Sequence, residues 1–301
     1  MGKVKDMAKV APRYGQPHTA DSILSSGSVY VGSESVHYAA SGVAEAGSAI
    51  LFLHEAGGNG ATWNGQLVGL APKARCLVPD LPGHGQSGGL GFQTIAEYRA
   101  AMIGFLDALA IQWPVVIAGA CLGAAIAIDL ALHAPERVAG LILAGLPARG
   151  RVTPEVCERT AVGEAPDSFI ESLFSESVSP RLKSEQLKRW RVAFPTVRYG
   201  DLMALSSYRV RDALSQVPHR VMMVAGERDT VVPPEVVAYM ATTAPRGDVV
   251  MIPSAGALSM LEQPEWYNRL VSAFLDEVHP DVPAVPAFAY GGGYRRYQSR
   301  R

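Results

Sequence analysis

The feature that most constrains the fold is a series of short apolar runs separated by stretches with helical spacing. Apart from the first two, the runs are continuous apolar blocks, with no regular alternation of apolar and polar residues. A strand buried on both faces has this pattern, which indicates a parallel sheet. The predicted strands are Ser28–Gly32, Ser35–Ala39, Ala49–Leu53, Cys76–Pro79, Val115–Ala118, Gly140–Ala144, Val221–Ala225 and Asp248–Ile252.

Helical patterns lie between several of these runs, at Thr94–Leu109, Leu122–His133 and Glu265–Glu277. Strands that alternate with helices predict an α/β fold with a mostly parallel, doubly wound sheet. Residues 149–214 break the rhythm with several prolines and no convincing strand, so we expect a helical cap after the sixth strand. The predicted core is then 23–148 and 215–278, preceded by a flexible segment (1–22) and followed by a disordered tail rich in Tyr and Arg (279–301).

Composition excludes several classes of function. The 301 residues carry a net charge of −1, so the chain has no global electrostatic reason to bind nucleic acid or a charged membrane. No apolar run approaches the roughly 18 residues of a membrane span. Three widely spaced cysteines fit a reduced, cytoplasmic chain. Neither a phosphate-binding loop nor a metal-ligand cluster is visible, so we expect no cofactor and no metal, and the oligomeric state stays open.

The sharpest motif is Gly119-Ala-Cys121-Leu-Gly123, which joins an apolar strand directly to the predicted helix Leu122–His133. Glycines at these two places allow a tight turn that holds the central side chain in a strained, exposed position at a helix N-terminus. The usual residue in such a nucleophile elbow is Ser, and here it is Cys. The motif therefore predicts that Cys121 is a nucleophile.

Together with four further blocks, this motif resembles the α/β-hydrolase fold superfamily over about residues 27–278. These blocks are the oxyanion-type loop Leu51–Asn59, the turn Val78–Ser87, the acid loop Gly226–Pro233 and the segment Ile252–Pro264 that normally carries the catalytic His. The resemblance implies that Asp229 is the triad acid. It also implies an oxyanion hole formed by backbone N–H groups of Leu122 and of the loop after Leu53, at Glu55 and Ala56.

One departure from this pattern affects the chemistry directly. Ala257 occupies the position where the resemblance predicts the catalytic His, and the seven histidines offer no obvious substitute. The surrounding block is otherwise intact, whereas decay would scatter losses. We therefore favour a variant disabled by a His to Ala change over a naturally decayed enzyme, and a native Cys over a replaced Ser.

A thiol tolerates the loss of a base better than a hydroxyl does. A few per cent of a free cysteine is thiolate at neutral pH, and a helix N-terminus is expected to raise that share. Cys121 is therefore expected to accept an acyl group, while deacylation stalls. Glu55 stands where Gly is common, so its carboxylate either points away from the oxyanion or has a role in specificity or acid–base chemistry.

Apolar and aromatic residues of the cap, with residues near the motifs, predict a pocket for a small apolar acyl group. The expected substrate-binding residues are His54, Trp190, Phe194, Met203 and Met260. Their composition suits the core of a helical cap equally well. The predicted function is hydrolysis or transfer of the acyl group of an ester or thioester. The alternatives are a carbon–carbon bond hydrolase or lyase, and a non-catalytic protein that binds a small molecule.

Overall fold

The computed structural model describes residues 24–42, 48–146, 152–164 and 167–279. The segment predicted to be flexible (1–22) lies outside the described residues, as does the tail predicted to be disordered (279–301) apart from His279, whose N–H donates to Leu275 at 2.9 Å. The described chain forms one eight-stranded sheet. Its strands are β1 (Ser25–Val31), β2 (Glu34–Ser41), β3 (Ala49–Leu53), β4 (Arg75–Pro79), β5 (Val115–Ala120), β6 (Val138–Ala144), β7 (Val221–Gly226) and β8 (Gly247–Ile252).

The strand order is β1-β2-β4-β3-β5-β6-β7-β8. The pairs β1–β2 and β2–β4 are antiparallel, and every other neighbouring pair is parallel. Each predicted strand overlaps one observed strand, and the predicted α/β fold with a mostly parallel sheet is confirmed. The continuous apolar runs are explained by burial, because every residue of β3, β5 and β7 is buried.

Helices flank the sheet and connect its strands. They are α1 (Asn64–Gly69), α2 (Ile95–Ala108), α3 (Leu122–His133), α4 (Pro154–Ala161), α5 (Asp167–Glu171), α6 (Pro180–Val192), α7 (Pro195–Ser207), α8 (Val210–Leu214), α9 (Pro234–Thr243), α10 (Ser259–Glu262) and α11 (Pro264–Val278). Helices α4 to α8 all lie between β6 and β7 in the chain and form the cap. None of the helices in the described residues has the length and apolar character that crossing a membrane requires.

Local signals fix where the helices begin. The Thr94 hydroxyl accepts the N–H of Glu97 at 3.3 Å and donates to that residue's carboxylate at 2.6 Å, which caps α2. Helix α6 begins with Ser179 as its cap and Pro180 in the first turn, where a proline loses no hydrogen bond. Helix α3 has no such cap and is held by burial, since ten of its twelve residues are buried.

Close packing of α3 on β3 requires a glycine at the start of that helix. A Cβ atom added at Gly123 would lie 2.1 Å from the carbonyl oxygen of Leu53. No rotation relieves this contact, because both groups belong to the backbone. The strand and the helix can approach this closely only with glycine at position 123.

We therefore expect Gly123→Ala to destabilise the protein by about 3 kcal/mol, since the clash must separate α3 from β3. The measurement is urea unfolding. Gly27→Ala in β1 is the matched control, because its Cβ would meet only the Tyr38 side chain at an ordinary 3.4 Å. Equal effects of the two substitutions would contradict this packing argument.

Candidate active site

Cys121 occupies a strained turn between β5 and α3. Its backbone has φ 50° and ψ −104°, a conformation that residues with a side chain rarely adopt. Two backbone bonds hold the turn: the N–H of Cys121 donates to Ala144 at 3.0 Å, and the N–H of Gly123 donates to His54 at 3.1 Å. The predicted strain is observed, but the predicted exposure is wrong, since Cys121 is only 7% exposed.

Two backbone N–H groups, those of Ala56 and Leu122, interact with the Cys121 thiol. Donors in this arrangement can receive the negative oxygen that develops when a nucleophile attacks a carbonyl group. Glu55 was expected to belong to the same hole, but its N–H interacts with its own carboxyl group. The backbone donors that the structure brings to the thiol are thus those of Ala56 and Leu122.

Burial dominates the acidity of the thiol. Desolvation raises the pKa of Cys121 to about 12, and Glu55, when ionised, acts in the same direction. The two backbone donors oppose the shift without cancelling it. The expectation that the helix N-terminus would enrich the thiolate is therefore wrong, because the helix effect is smaller than the cost of desolvation here.

Asp229 lies on the loop that follows β7 and is 5% exposed. Its Oδ1 atom accepts the N–H groups of Val231 at 2.7 Å and Val232 at 2.9 Å, which fixes the carboxylate. The N–H of the preceding residue, Arg228, donates to Ala255 at 2.8 Å. The acid loop is therefore bonded directly to the segment that carries Ala257.

Ala257 is 2% exposed, and its backbone is held on both sides. The Glu262 carboxylate accepts the N–H of Gly256 at 2.9 Å, and the N–H of Leu258 donates to Leu173 of the cap at 3.2 Å. The carbonyl of Ala257 also lies against Gly145, the residue after β6. Because the end of β6 bonds to Cys121, residues 121, 229 and 257 converge at the carboxyl edge of the sheet.

The described histidines nearest the site have structural bonds. Nδ1 of His54 donates to the carbonyl of Glu55 at 2.8 Å, and its Nε2 accepts the N–H of Leu81 at 3.0 Å. The ring is therefore neutral, and burial lowers the pKa of His54 to about 3. The predicted role of His54 in substrate binding needs correction, because the side chain is fully buried and both ring nitrogens are occupied.

His84 has the opposite charge state. Its Nε2 lies 2.8 Å from Asp201 and its Nδ1 lies 3.1 Å from the carbonyl of Pro82, so both nitrogens face acceptors and carry protons. Burial opposes the charged ring, but Asp201 outweighs burial and raises the pKa of His84. Asp201 also accepts the Tyr98 hydroxyl at 2.5 Å and the N–H of Gly57 at 2.8 Å.

The other predicted substrate-binding residues have different environments. Trp190 is buried and covers Gly57, where a Cβ atom would lie 2.3 Å from the ring. Met260 is buried, Met203 is half-buried and Phe194 is 68% exposed. The Trp190 ring therefore packs against the oxyanion-type loop, whereas the exposed Phe194 forms part of the surface of the cap.

Sequence analysis missed three polar residues that organise the site: Asp201, Gln186 and Glu262. Asp201 and Gln186 lie on cap helices and contact residues more than one hundred positions earlier in the chain. Glu262 lies within the recognised segment Ile252–Pro264, so its spacing from Gly256 was visible in the sequence although its hydrogen bonds were not. The described residues contain no group of three or more His, Cys, Asp or Glu side chains that could hold a metal ion.

Comparison with known proteins agrees with this geometry. A profile of the Alpha/beta hydrolase family matches residues 50–270, and the chain belongs to that family. It is 26% identical, over 77% of its length, to the dihydrolipoyllysine-residue acetyltransferase component of the acetoin cleaving system of Pseudomonas putida, of which it spans 64%. It is also 26% identical to the pimeloyl–acyl-carrier-protein methyl ester esterase of Aeromonas salmonicida, covering 76% of this chain and 96% of that one.

Solved structures show the same relationship. A thermophilic esterase from Thermogutta terrifontis superposes with a TM-score of 0.76 at 25% identity, covering 85% of this chain and 99% of the esterase. Hydrolases and acyl-transfer proteins of this family are thus similar to the chain over most of its length.

The buried pair His84–Asp201 predicts a pH-dependent stability. Because the folded pKa of His84 lies above its ordinary value of 6.5, the pair stabilises the fold fully below pH 6.5 and loses this contribution as the pH rises through the folded pKa. We expect Asp201→Asn to cost about 3 kcal/mol under acidic conditions and less under alkaline ones. Urea unfolding at a series of pH values measures the difference.

Asp276→Asn is the control for that series, since Asp276 forms an exposed ion pair with Lys73 and should change stability by less than about 1 kcal/mol. A cost of Asp201→Asn that did not vary with pH would show that His84 is not its charged partner.

Proposed function

We propose that this chain is an acyl-transfer enzyme that hydrolyses or transfers the acyl group of a small apolar ester or thioester through the Cys121 thiol. We also propose that Ala257 occupies the position of the general base, so the chain is a variant disabled by a His to Ala change. The observation that carries the proposal is the contact of the backbone N–H groups of Ala56 and Leu122 with the thiol of a strained elbow.

The reaction would begin with the thiolate. Its attack on the acyl carbon forms a carbon–sulfur bond and moves the carbonyl electrons to oxygen, which faces the two N–H donors. Collapse of this intermediate expels the alcohol or thiol, which takes up a proton. Water or another acceptor then attacks the acyl carbon, the carbon–sulfur bond breaks, and the proton lost by the attacking group returns to the Cys121 thiolate.

Both proton transfers require a base next to the sulfur. With a pKa of about 12, only ~10⁻⁵ of the Cys121 thiol is ionised at neutral pH. Imidazole at position 257 would remove that proton and return it to the leaving group, and Asp229 would orient the ring. The bonds that hold Gly256 and Leu258 support this assignment, because they position the backbone of residue 257 without any imidazole.

The relatives support the reaction class. The acetyltransferase component and the methyl ester esterase both handle acyl groups according to their names, one by transfer and one by hydrolysis. The Trp190 ring, which packs on Gly57 next to the donor Ala56, favours an apolar acyl group. Which acceptor takes the acyl group is decided by measuring products in water with and without an added thiol or alcohol.

A second candidate is a protein that binds a small molecule without reacting with it. The raised pKa of Cys121 favours this candidate, since a protonated thiol is a poor nucleophile. A carbon–carbon bond hydrolase or lyase on the same fold is the remaining alternative, and no particular contact favours it.

We expect Ala257→His to accelerate product release from activated esters and thioesters by about 10²- to 10⁴-fold, the usual contribution of a general base. The unchanged chain should instead accumulate one acyl group on Cys121, about tenfold faster for each unit rise in pH, because only the thiolate attacks. Product release and intact mass are recorded together.

Two variants in the Ala257→His background serve as controls. Cys121→Ala should abolish both the adduct and the release of product, and Asp229→Asn should lower the rate by orders of magnitude because the imidazole loses its orientation. If Ala257→His neither reacts nor releases product while apolar ligands still raise the melting temperature, the protein is a binding protein and the proposal fails.

A further inference from the structure

Glu55 is a buried carboxyl group between the core and the cap. It follows His54 after β3 and is 1% exposed. Its Oε1 atom accepts the Thr62 hydroxyl at 3.0 Å and the side-chain amide of Gln186 from α6. Gly58 leaves room for the group, because a Cβ atom there would lie 2.2 Å from Oε1. Residues of the loop and of the cap therefore fix the position of this carboxyl group.

The amide that contacts Glu55 is itself oriented. Arg189, one turn further along α6, donates to the Oε1 atom of Gln186 at 2.7 Å. This bond leaves the Nε2 atom of Gln186 to donate to Glu55. Two side chains from different parts of the chain, Thr62 and Gln186, thus donate to one carboxyl oxygen, and Arg189 orients the second of them. A chance replacement of Gly by Glu would not explain this match.

The other carboxyl oxygen, Oε2, is buried and has no hydrogen-bond partner among the described residues. Burial raises the pKa of Glu55, against smaller opposing effects of its own N–H, Arg189, Thr62 and Gln186, and so favours the protonated acid. Because Oε1 already accepts two donors, the proton belongs on Oε2. A buried O–H donor is costly unless it finds an acceptor.

The Glu55 carboxyl group lies close enough to the Cys121 thiol to interact with it electrostatically. Ala56, the next residue, places its N–H on Cys121, and a charge on Glu55 raises the pKa of that thiol. Trp190 covers the following residue, Gly57. An acceptor for the Oε2–H group can therefore come from a molecule bound over Cys121.

We propose that Glu55 is a specificity-determining residue whose Oε2–H group donates a hydrogen bond to an oxygen atom of the substrate, so that the site prefers acyl groups with an oxygen substituent near the reacting carbonyl. This inference rests on the proposed acyl-transfer function and names the substrate class within it. A plain alkyl acyl group leaves the donor unpaired, whereas a 3-oxo or 3-hydroxy acyl group pairs it.

Binding tests this preference without requiring catalysis. Calorimetry measures the affinity of the Cys121→Ala variant for two N-acetylcysteamine thioesters, those of 3-oxohexanoic acid and hexanoic acid. This variant has no thiol at position 121 and so cannot be acylated there. We expect the 3-oxo thioester to bind about tenfold more tightly, the factor that corresponds to one hydrogen bond of ordinary net strength. Glu55→Leu should reduce this ratio to about one.

The Glu55→Gln variant tests whether a hydrogen-bond donor or a negative charge at position 55 sets the preference. Its amide keeps an accepting oxygen for Thr62 and Gln186 and presents an N–H group in place of the O–H group. The ratio should survive in this variant at every pH. With Glu55 present the ratio should fall as the pH rises through the pKa of its carboxyl group. Glu97→Gln, an exposed glutamate on α2, should leave the ratio unchanged.

The outcomes distinguish this inference from the proposed function. If both thioesters bind Cys121→Ala equally, or if Glu55→Gln loses the preference, Glu55 is not the donor although acyl-transfer can still stand. If neither thioester binds, both proposals fail together. Because the pH series uses Glu55 itself, it decides the question even if Glu55→Leu does not fold.

Discussion

A single buried carboxylate, that of Asp201, ties the cap to the core at the level of the site. It accepts bonds from His84, from the Tyr98 hydroxyl and from the backbone N–H of Gly57. These donors belong to a turn after β4, to α2 and to the oxyanion loop. Because the Asp201 carboxylate is fully buried, its ion pair with the protonated His84 ring balances its charge, and the three donors must hold their places together.

Asp201 also affects the environment of the proposed nucleophile, Cys121, through the short loop that contains Ala56 and Gly57. Gly57 is fixed by Asp201 and covered by Trp190, both from the cap, and its neighbour Ala56 supplies an N–H to the thiol. The position of an oxyanion donor therefore depends on how the cap is seated. The packing of the cap on this loop also removes Cys121 from water. One packing arrangement therefore both orients the N–H donors and suppresses ionisation of the thiol.

The fold was predictable because its signals are local and repeated. The apolar runs located every strand, and Leu122–His133 matched α3 at both ends, since a buried helix between glycine and proline punctuation leaves little freedom. Helices α1 and α9 were not predicted; they are short, and α1 carries no strong helical pattern. The positions of Cys121, Asp229 and Ala257 after predicted strands could be read from motif order, whereas the environments of His54 and Asp201 depend on partners that only the folded chain brings together. The acidity of Cys121 was misjudged for the same reason, because desolvation is a property of the packed pocket.

The backbone around Ala257 is held by hydrogen bonds that do not depend on the side chain at that position. Glu262 bonds the N–H before Ala257, the cap bonds the N–H after it, and the acid loop bonds Ala255. None of these bonds uses the side chain of residue 257, so the proposed change from imidazole to methyl would remove a proton acceptor and leave these backbone bonds in place. In the proposed variant the chemical loss would be severe, because a thiol with a pKa of about 12 depends on an adjacent base more than an exposed cysteine would. Burial of the Cys121 thiol therefore both suppresses its ionisation and, in the proposed mechanism, creates the need for a base at position 257.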